Sequence, residues 1–242
     1  MFLAYKTDIG KNREENQDAV KADFIDENIS ISVVCDGMGG AKSGGVASDV
    51  AVTNIFNRMM AGFRKDADSN SIRNLMLSAV HAANTIVYEK SKEDIDKNGM
   101  GTTCVAALVY NKHCYVVSVG DSRVYLLNDD GISQITTDHT YVQALYEQGI
   151  ITKEEQKDHK LKNVITRALG VEDDVEVDYF EFEQSGNFTL LLCSDGLSNY
   201  CSDQELYDFV YGKNLDEAAL NLINYANEQG GSDNITVALV AN

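Results

Sequence analysis

Five aspartates in this chain each stand at the end of a short apolar run, most of them beside glycine. Residues 29–35 lead into Asp36-Gly37-Met38-Gly39-Gly40, 114–119 into Gly120-Asp121-Ser122-Arg123, and 188–193 into Ser194-Asp195-Gly196-Leu197. Gly230-Gly231-Ser232-Asp233-Asn234 precedes the run 235–240, and Arg13-Glu14-Glu15-Asn16-Gln17-Asp18 precedes 19–24. Short runs rich in β-branched residues read as buried strands. A carboxylate at a strand end is held rigidly by the core behind it, and glycine lets the backbone turn or lets an ion approach. Taken singly, each Asp-Gly is a turn dipeptide. Brought to one edge of a fold, five carboxylates repel one another unless cations neutralise them. An all-oxygen set suits hard ions such as magnesium or manganese.

The 242 residues are 44% hydrophobic and 24% charged, which suits one large domain spanning 1–242. No apolar run is long enough to span a bilayer, and the start Met1-Phe2-Leu3-Ala4-Tyr5-Lys6 does not read as a signal peptide, so a soluble, cytoplasmic monomer is expected. A net charge of -18 argues against nucleic acid and anionic lipid as partners. It permits an anionic substrate if metals and arginine reverse the field locally. The five cysteines, an odd count without paired metal-ligand spacing, sit mostly in apolar runs and read as reduced core residues.

Strands are expected at 2–7, 19–24, 29–35, 103–110, 114–119, 124–127, 175–182, 188–193 and 235–240. Helices are expected from about Gly45 to Met60, with Val46, Val50, Ile55 and Met59 inward, and over 69–92, with Ile72, Leu75, Leu77, Val80, Ala83 and Val87 inward. The second ends at 96–99. Two more helices are expected, one opened by a capping box at 202–205 and running to about Tyr211, the other over 216–228. Between the two helix pairs, 141–162 carries many charges and a capping box at Thr152, and reads as short helices on the body. Strands in blocks with short polar links argue for an α+β fold. Two packed antiparallel sheets with a helix pair on each outer face bury every apolar stripe.

These motifs, in this order over almost the whole chain, resemble the metal-dependent type 2C protein serine/threonine phosphatases, in a compact bacterial form. Added to the five aspartate segments are Gly101-Thr102-Thr103 and Asp138-His139. The resemblance implies a four-layer α-β-β-α sandwich with two or three divalent cations, magnesium or manganese, at one end of the sheets. It implies that Asp36 bridges two metals with the Gly37 carbonyl on one, that Asp195 and Asp233 ligate the first, and that Asp18 holds waters on the second. Asp121 with Asp195 would offer a third, weaker site, and Arg13 would grip the phosphate. A water between the metals would attack phosphorus. Residues 141–162 match the flap that borders the substrate groove. The partners implied are phosphorylated proteins and an opposing serine/threonine kinase. The chain departs at Ala41, where many bacterial relatives carry histidine, and at Gln17, where some eukaryotic relatives have glutamate.

Other residues read as structural. His139 is expected to orient the flap hinge by hydrogen bonds, Thr102 and Thr103 to lie beneath the site, and Asn234 to fix the turn carrying Asp233. Tyr141 and Tyr146 are expected in flap packing. Ser122 and Arg123 are weaker candidates for a supporting role, and His81, His113 and His159 are given no chemistry. Two other functions remain open on the residues alone: a non-catalytic phosphoprotein-binding regulator on the same fold, and a hydrolase of small phosphate esters.

Overall fold

Alternation along the strands sorts this chain's apolar residues into three separate cores. A computed structural model describes residues 1–39, 43–93 and 99–242. Gly40, Ala41 and Lys42 lie outside the described residues, as does the expected helix break at 96–99 except for Gly99.

One sheet has the order β1 (Phe2–Asp8), β11 (Ile235–Ala241), β10 (Phe188–Cys193), β7 (Arg123–Asn128) and β8 (Gly131–Gln134). The other runs β2 (Asp18–Asp26), β3 (Ile29–Met38), β5 (Cys104–Tyr110), β6 (His113–Val119) and β9 (Asp178–Glu183), with β4 (Gly101–Thr102) beside β3. Every pairing is antiparallel. Val34, Val105, Val116, Leu190, Leu192 and Val240 form the core between the sheets. Their neighbours point the other way. Ile31, Val33 and Leu108 pack on α1 (Ser43–Gly62) and α2 (Ser69–Glu93). Leu191, Val237 and Leu239 pack with α6 (Asp203–Val210) and α7 (Leu215–Glu228). The fold is therefore α+β, helices outside two antiparallel sheets, as the patterning requires.

Several details differ from the sequence reading. Helix α1 buries Ala47, Ser48, Ala51 and Val52 beside the expected Ile55 and Met59, while Val50 is only partly buried and Val46 is exposed. On α2, Met76 and Ala79 are buried and Leu77 is only partly so. Strand β3 does not stop at Asp36, because pairing of Gly37 and Met38 with Thr102 and Gly101 carries it on to Met38. The strand expected from 175 begins at Asp178, since Val175 turns inward under α2 and Asn84 holds the carbonyls of Glu172 and Asp173. The strand β8 and the single turn α5 (Asp195–Ser198) were not foreseen.

The insert is two short helices, α3 (Tyr141–Glu147) and α4 (Lys153–Asp158), the second opened by the expected capping box of Thr152 and Glu155. All five cysteines are free and buried. Burial pushes the Cys114 and Cys201 thiols up to about 12, so they stay protonated at neutral pH. Among the described residues, no helix is long and apolar enough to cross a membrane.

Candidate metal centre

Register places the five aspartates at one end of both sheets. Asp18 at the start of β2 stands opposite Asp36 near the end of β3. At that same end β5 begins at Cys104, paired with Val119 at the end of β6. In the other sheet, Cys193 at the end of β10 pairs with Arg123 at the start of β7 and with Val237 near the start of β11. Asp195 and Asp233 flank those ends. Asp121 lies in the link where the chain crosses from β6 to β7.

The link depends on Gly120. Its φ is 99°, and a Cβ there would sit 2.6 Å from Thr103 Cγ2. Gly37 is required for a different reason. A Cβ on it would lie 2.1 Å from the Gly44 carbonyl oxygen and 2.6 Å from that of Gln17, so the start of α1 and the approach to β2 close directly on the backbone beside Asp36.

Asp36 is fixed through its backbone. Its N–H donates to Thr103 Oγ1 at 3.0 Å, and its carbonyl accepts from Thr103 N at 2.8 Å and Thr102 Oγ1 at 2.9 Å. Ser122 Oγ lies 2.7 Å from Thr103 Oγ1, which ties the Asp121 link to the same post. Thr102, Thr103 and Ser122 thus support the site from beneath. Asp18 is held by Ser194, whose Oγ donates to Asp18 Oδ2 at 2.7 Å and accepts from Thr236 N at 3.0 Å. That single hydroxyl joins the two sheets at the site. Asp195 Oδ2 accepts from Asn199 Nδ2 at 3.1 Å. Asp233 Oδ1 accepts from Asn234 N, and its Oδ2 takes Arg13 Nη2 at 2.7 Å. Asn234 does more than fix its own turn: Oδ1 accepts from Gln17 N, and Nδ2 donates to the carbonyls of Ile9 and Glu15, so it clasps the loop bearing Arg13 and Asp18.

The electrostatics are those of crowded acids. Burial raises Asp36 well above the usual carboxylate range, and Asp18, Asp195, Asp121 and Asp233 raise it further. Burial pushes Asp18 up to about 7 against the hydrogen bonds from Ser194 and Thr236. It pushes Asp121 up to about 8, helped by Asp195 and Asp138, and Asp195 to about 6, helped by Asp233. Asp18 Oδ1, Asp121 Oδ1 and Asp195 Oδ1 are buried with no hydrogen-bond partner. Buried oxygens without donors are costly, and cations are the natural partners for anionic ones. Among the described residues, no three acidic, histidine or cysteine side chains converge on one point tightly enough to form a complete ligand set. An ion held there would draw further ligands from backbone carbonyls, solvent or substrate, as in hard-cation sites that keep open positions.

His139 is structural. Its Nδ1 accepts the Gly120 N–H at 3.0 Å, and its Nε2 lies 3.2 Å from Asp178 Oδ2 and 2.9 Å from Arg167 Nη1. Arg167 joins the same carboxylate at 2.7 Å. Asp138 is chelated by Arg123 through Nε and Nη2, a pairing that adjacency in sequence did not suggest. Tyr141 packs near His159, whereas Tyr146 lines a cleft leading to the pit.

The sequence model of the family described as "Protein phosphatase 2C" matches residues 9–234. The serine/threonine phosphatase Stp of Listeria welshimeri is 39% identical over 245 residues, covering 99% of this chain and 95% of that one. The solved serine/threonine phosphatase Stp1 of Staphylococcus aureus superposes with a TM-score of 0.92 at 34% identity, over 99% of this chain and 94% of that one. The catalytic domain of the serine/threonine protein phosphatase PstP, solved with two manganese ions, gives a TM-score of 0.85 at 34% identity, over 100% and 97%.

Proposed function

The chain belongs to the protein phosphatase 2C family, and from that premise we propose which of its residues carry out catalysis. It is a serine/threonine protein phosphatase that uses divalent metal ions to hydrolyse phosphate esters on phosphoproteins. We assign the site to the pit walled by Asp18, Asp36, Asp121, Asp195 and Asp233. The observation that carries this assignment is the set of buried, partnerless carboxylate oxygens on Asp18, Asp121 and Asp195. Asp36, Asp195, Asp233 and the Gly37 carbonyl would hold two ions, magnesium or manganese, with Asp18 acting on the second from its place opposite Asp36. Asp121 and Asp195 would share a third and weaker one.

Divalent ions bound there supply an activated water at neutral pH and neutralise charge gathering on the phosphoryl oxygens. The protein's own residues do the rest. The Thr102 and Thr103 bonds fix Asp36 so that its carboxylate need not reorganise during reaction. Arg13 rests on Asp233 and Ser232, half-exposed, with further N–H donors to pair with two phosphoryl oxygens. Ala41 bears no acid, so water protonates the departing serine or threonine oxygen. Cysteine takes no part, since the thiols are buried. We take 1–242 as one catalytic domain, monomeric and cytoplasmic, with a serine/threonine kinase making its substrates.

The test is hydrolysis of p-nitrophenyl phosphate and of a phosphothreonine peptide, with and without manganese. Asp36→Asn and Asp195→Asn are expected to lower kcat on the order of 10³-fold while the fold survives by circular dichroism. Retention of metal-dependent turnover in both variants would move the site elsewhere. Manganese binding by the parent protein with turnover of neither substrate would favour a binding regulator instead.

A further inference from the structure

Beside the pit, the chain's acidic character reverses. A cleft of about 890 Å³ runs from Asp121 and Asp195 outward between the flap and the segment 198–205. Its flap wall carries Lys153, Lys157 and Lys162, all exposed. Among the described residues, none of the three makes an ion pair. Helix α4 sorts its charges by spacing. Lys153, Gln156 and Lys157, at positions i, i+3 and i+4, line the cleft, while Glu154 and Asp158 do not. Gln156 fixes that rotation by donating to the Val142 carbonyl and to Gln143 Oε1.

The acids that line the same cleft beyond the pit are Asp138, Asp203 and Glu205. Asp138 is chelated by Arg123. Both Glu205 oxygens are engaged, Oε2 by Ser202 and Oε1 by Tyr225. Those partners are neutral and stabilise the Glu205 anion, so Glu205 and the exposed Asp203 both oppose the lysines. Beyond the Arg123–Asp138 pair and the pit itself, the cleft thus sets three lysines against two carboxylates, on a chain of net charge -18. The chain's net charge repels an acidic segment, and a local cluster of lysines such as this one offsets that repulsion.

We propose that this cleft binds an acidic stretch of the substrate next to its phosphorylated residue, and that Lys153, Lys157 and Lys162 select it. The inference rests on the phosphatase reading above and specifies the substrate class for that site. A basic stretch would face the lysines unpaired, and a neutral one would gain nothing from them.

The experiment compares kcat/KM for three phosphothreonine peptides flanked by glutamates, by serines or by lysines. The parent enzyme should prefer the acidic peptide through KM, and the preference should shrink as salt is raised. The combined Lys153→Gln, Lys157→Gln and Lys162→Gln variant should lower the acidic-to-neutral ratio roughly tenfold, since each exposed pair contributes little alone. Lys157→Glu should shift preference toward the lysine-flanked peptide. Equal kcat/KM for all three peptides in the parent, or a ratio that the combined variant leaves unchanged, overturns the proposal while the phosphatase reading stands. Absence of metal-dependent turnover on every peptide and on p-nitrophenyl phosphate overturns both.

Discussion

Ser194 shows how much of the site hangs on single hydrogen bonds. Its hydroxyl serves Asp18 from one sheet and the Thr236 N–H from the other. Replacing it with alanine leaves a buried carboxylate oxygen and a buried N–H each short of a partner, at about 1–3 kcal/mol per group. Loss of a donor to the charged carboxylate also raises the Asp18 pKa further. Ser194→Ala should therefore lower Tm by about 4–8 °C for a cost of about 2 kcal/mol, and weaken divalent-ion binding measured by calorimetry. If the same substitution in an Asp18→Asn background costs as much, the bond to Asp18 is not the cause. The aspartates themselves were legible in the sequence, because each marks the point where an apolar run meets a turn. Ser194 was visible only as a letter in a motif. Its partner Asp18 lies 176 residues away, and only the pairing of strand ends brings them together. The role of Asn234 was foreseen too narrowly for the same reason: Gln17, Ile9 and Glu15 are all more than two hundred positions distant.

Strands and helices with a buried face declared themselves, since period-two and helical patterns are imprinted by burial. Elements too short to repeat such a pattern did not. The edge strand β8 has only Ile132 to pack, and α5 is one turn whose single large core side chain is Leu197. Of the face expected on α1, Ile55 and Met59 are buried but Val46 is exposed; Ala47, Ser48 and Ala51 lie inward instead, and such small residues mark a face only weakly. The flap lies at the opposite extreme from the core, for α4 buries none of its residues. Its order comes from the Thr152 capping box and the Gln156 contacts with α3. Thr152→Ala should cost about 1 kcal/mol of local helix stability. Because no core contact depends on α4, amide exchange should quicken at 153–158 while the global Tm moves by less than about 1 °C. A larger global shift would show that the flap is coupled to the sandwich beneath it.

Gathering carboxylates from both sheets makes the folded chain strain against its own site, and the strain has a sign that can be measured. Asp18 and Asp121 are raised to about 7 and about 8, whereas in the unfolded chain they titrate near the usual carboxylate value of about 4. Over the interval between, the folded state binds more protons than the unfolded one. Stability from these groups is thus fully present below pH ~4 and is lost as pH rises through 7 and 8. His139 acts in the opposite sense. Burial lowers its pKa, so its contribution fades as pH falls below about 6.5. Asp178, Arg167 and Asp138 are the charged groups bearing on it, and Asp178 stays ionised throughout, its own pKa being lowered. Between pH 6.5 and pH 8.5 His139 contributes little, while the buried thiols, protonated when folded and titrating near ~8.5 when unfolded, add a smaller fall of the same sign; the share of the pit is the part that Asp121→Asn removes. Divalent ions need the deprotonated carboxylates and bind only where the strand ends are assembled, so they stabilise the folded state, by about 2.7 kcal/mol at a hundredfold excess over Kd. In chelator, Tm should fall between pH 6.5 and 8.5, and Asp121→Asn should flatten the fall by removing the group raised to about 8. In saturating magnesium, the fall should disappear or reverse, because ions replace the protons as the neutralising charge. A chelated protein whose Tm is constant or rises over this interval would mean that the five acids do not share one electrostatic environment, and the metal centre assigned to them would go with it.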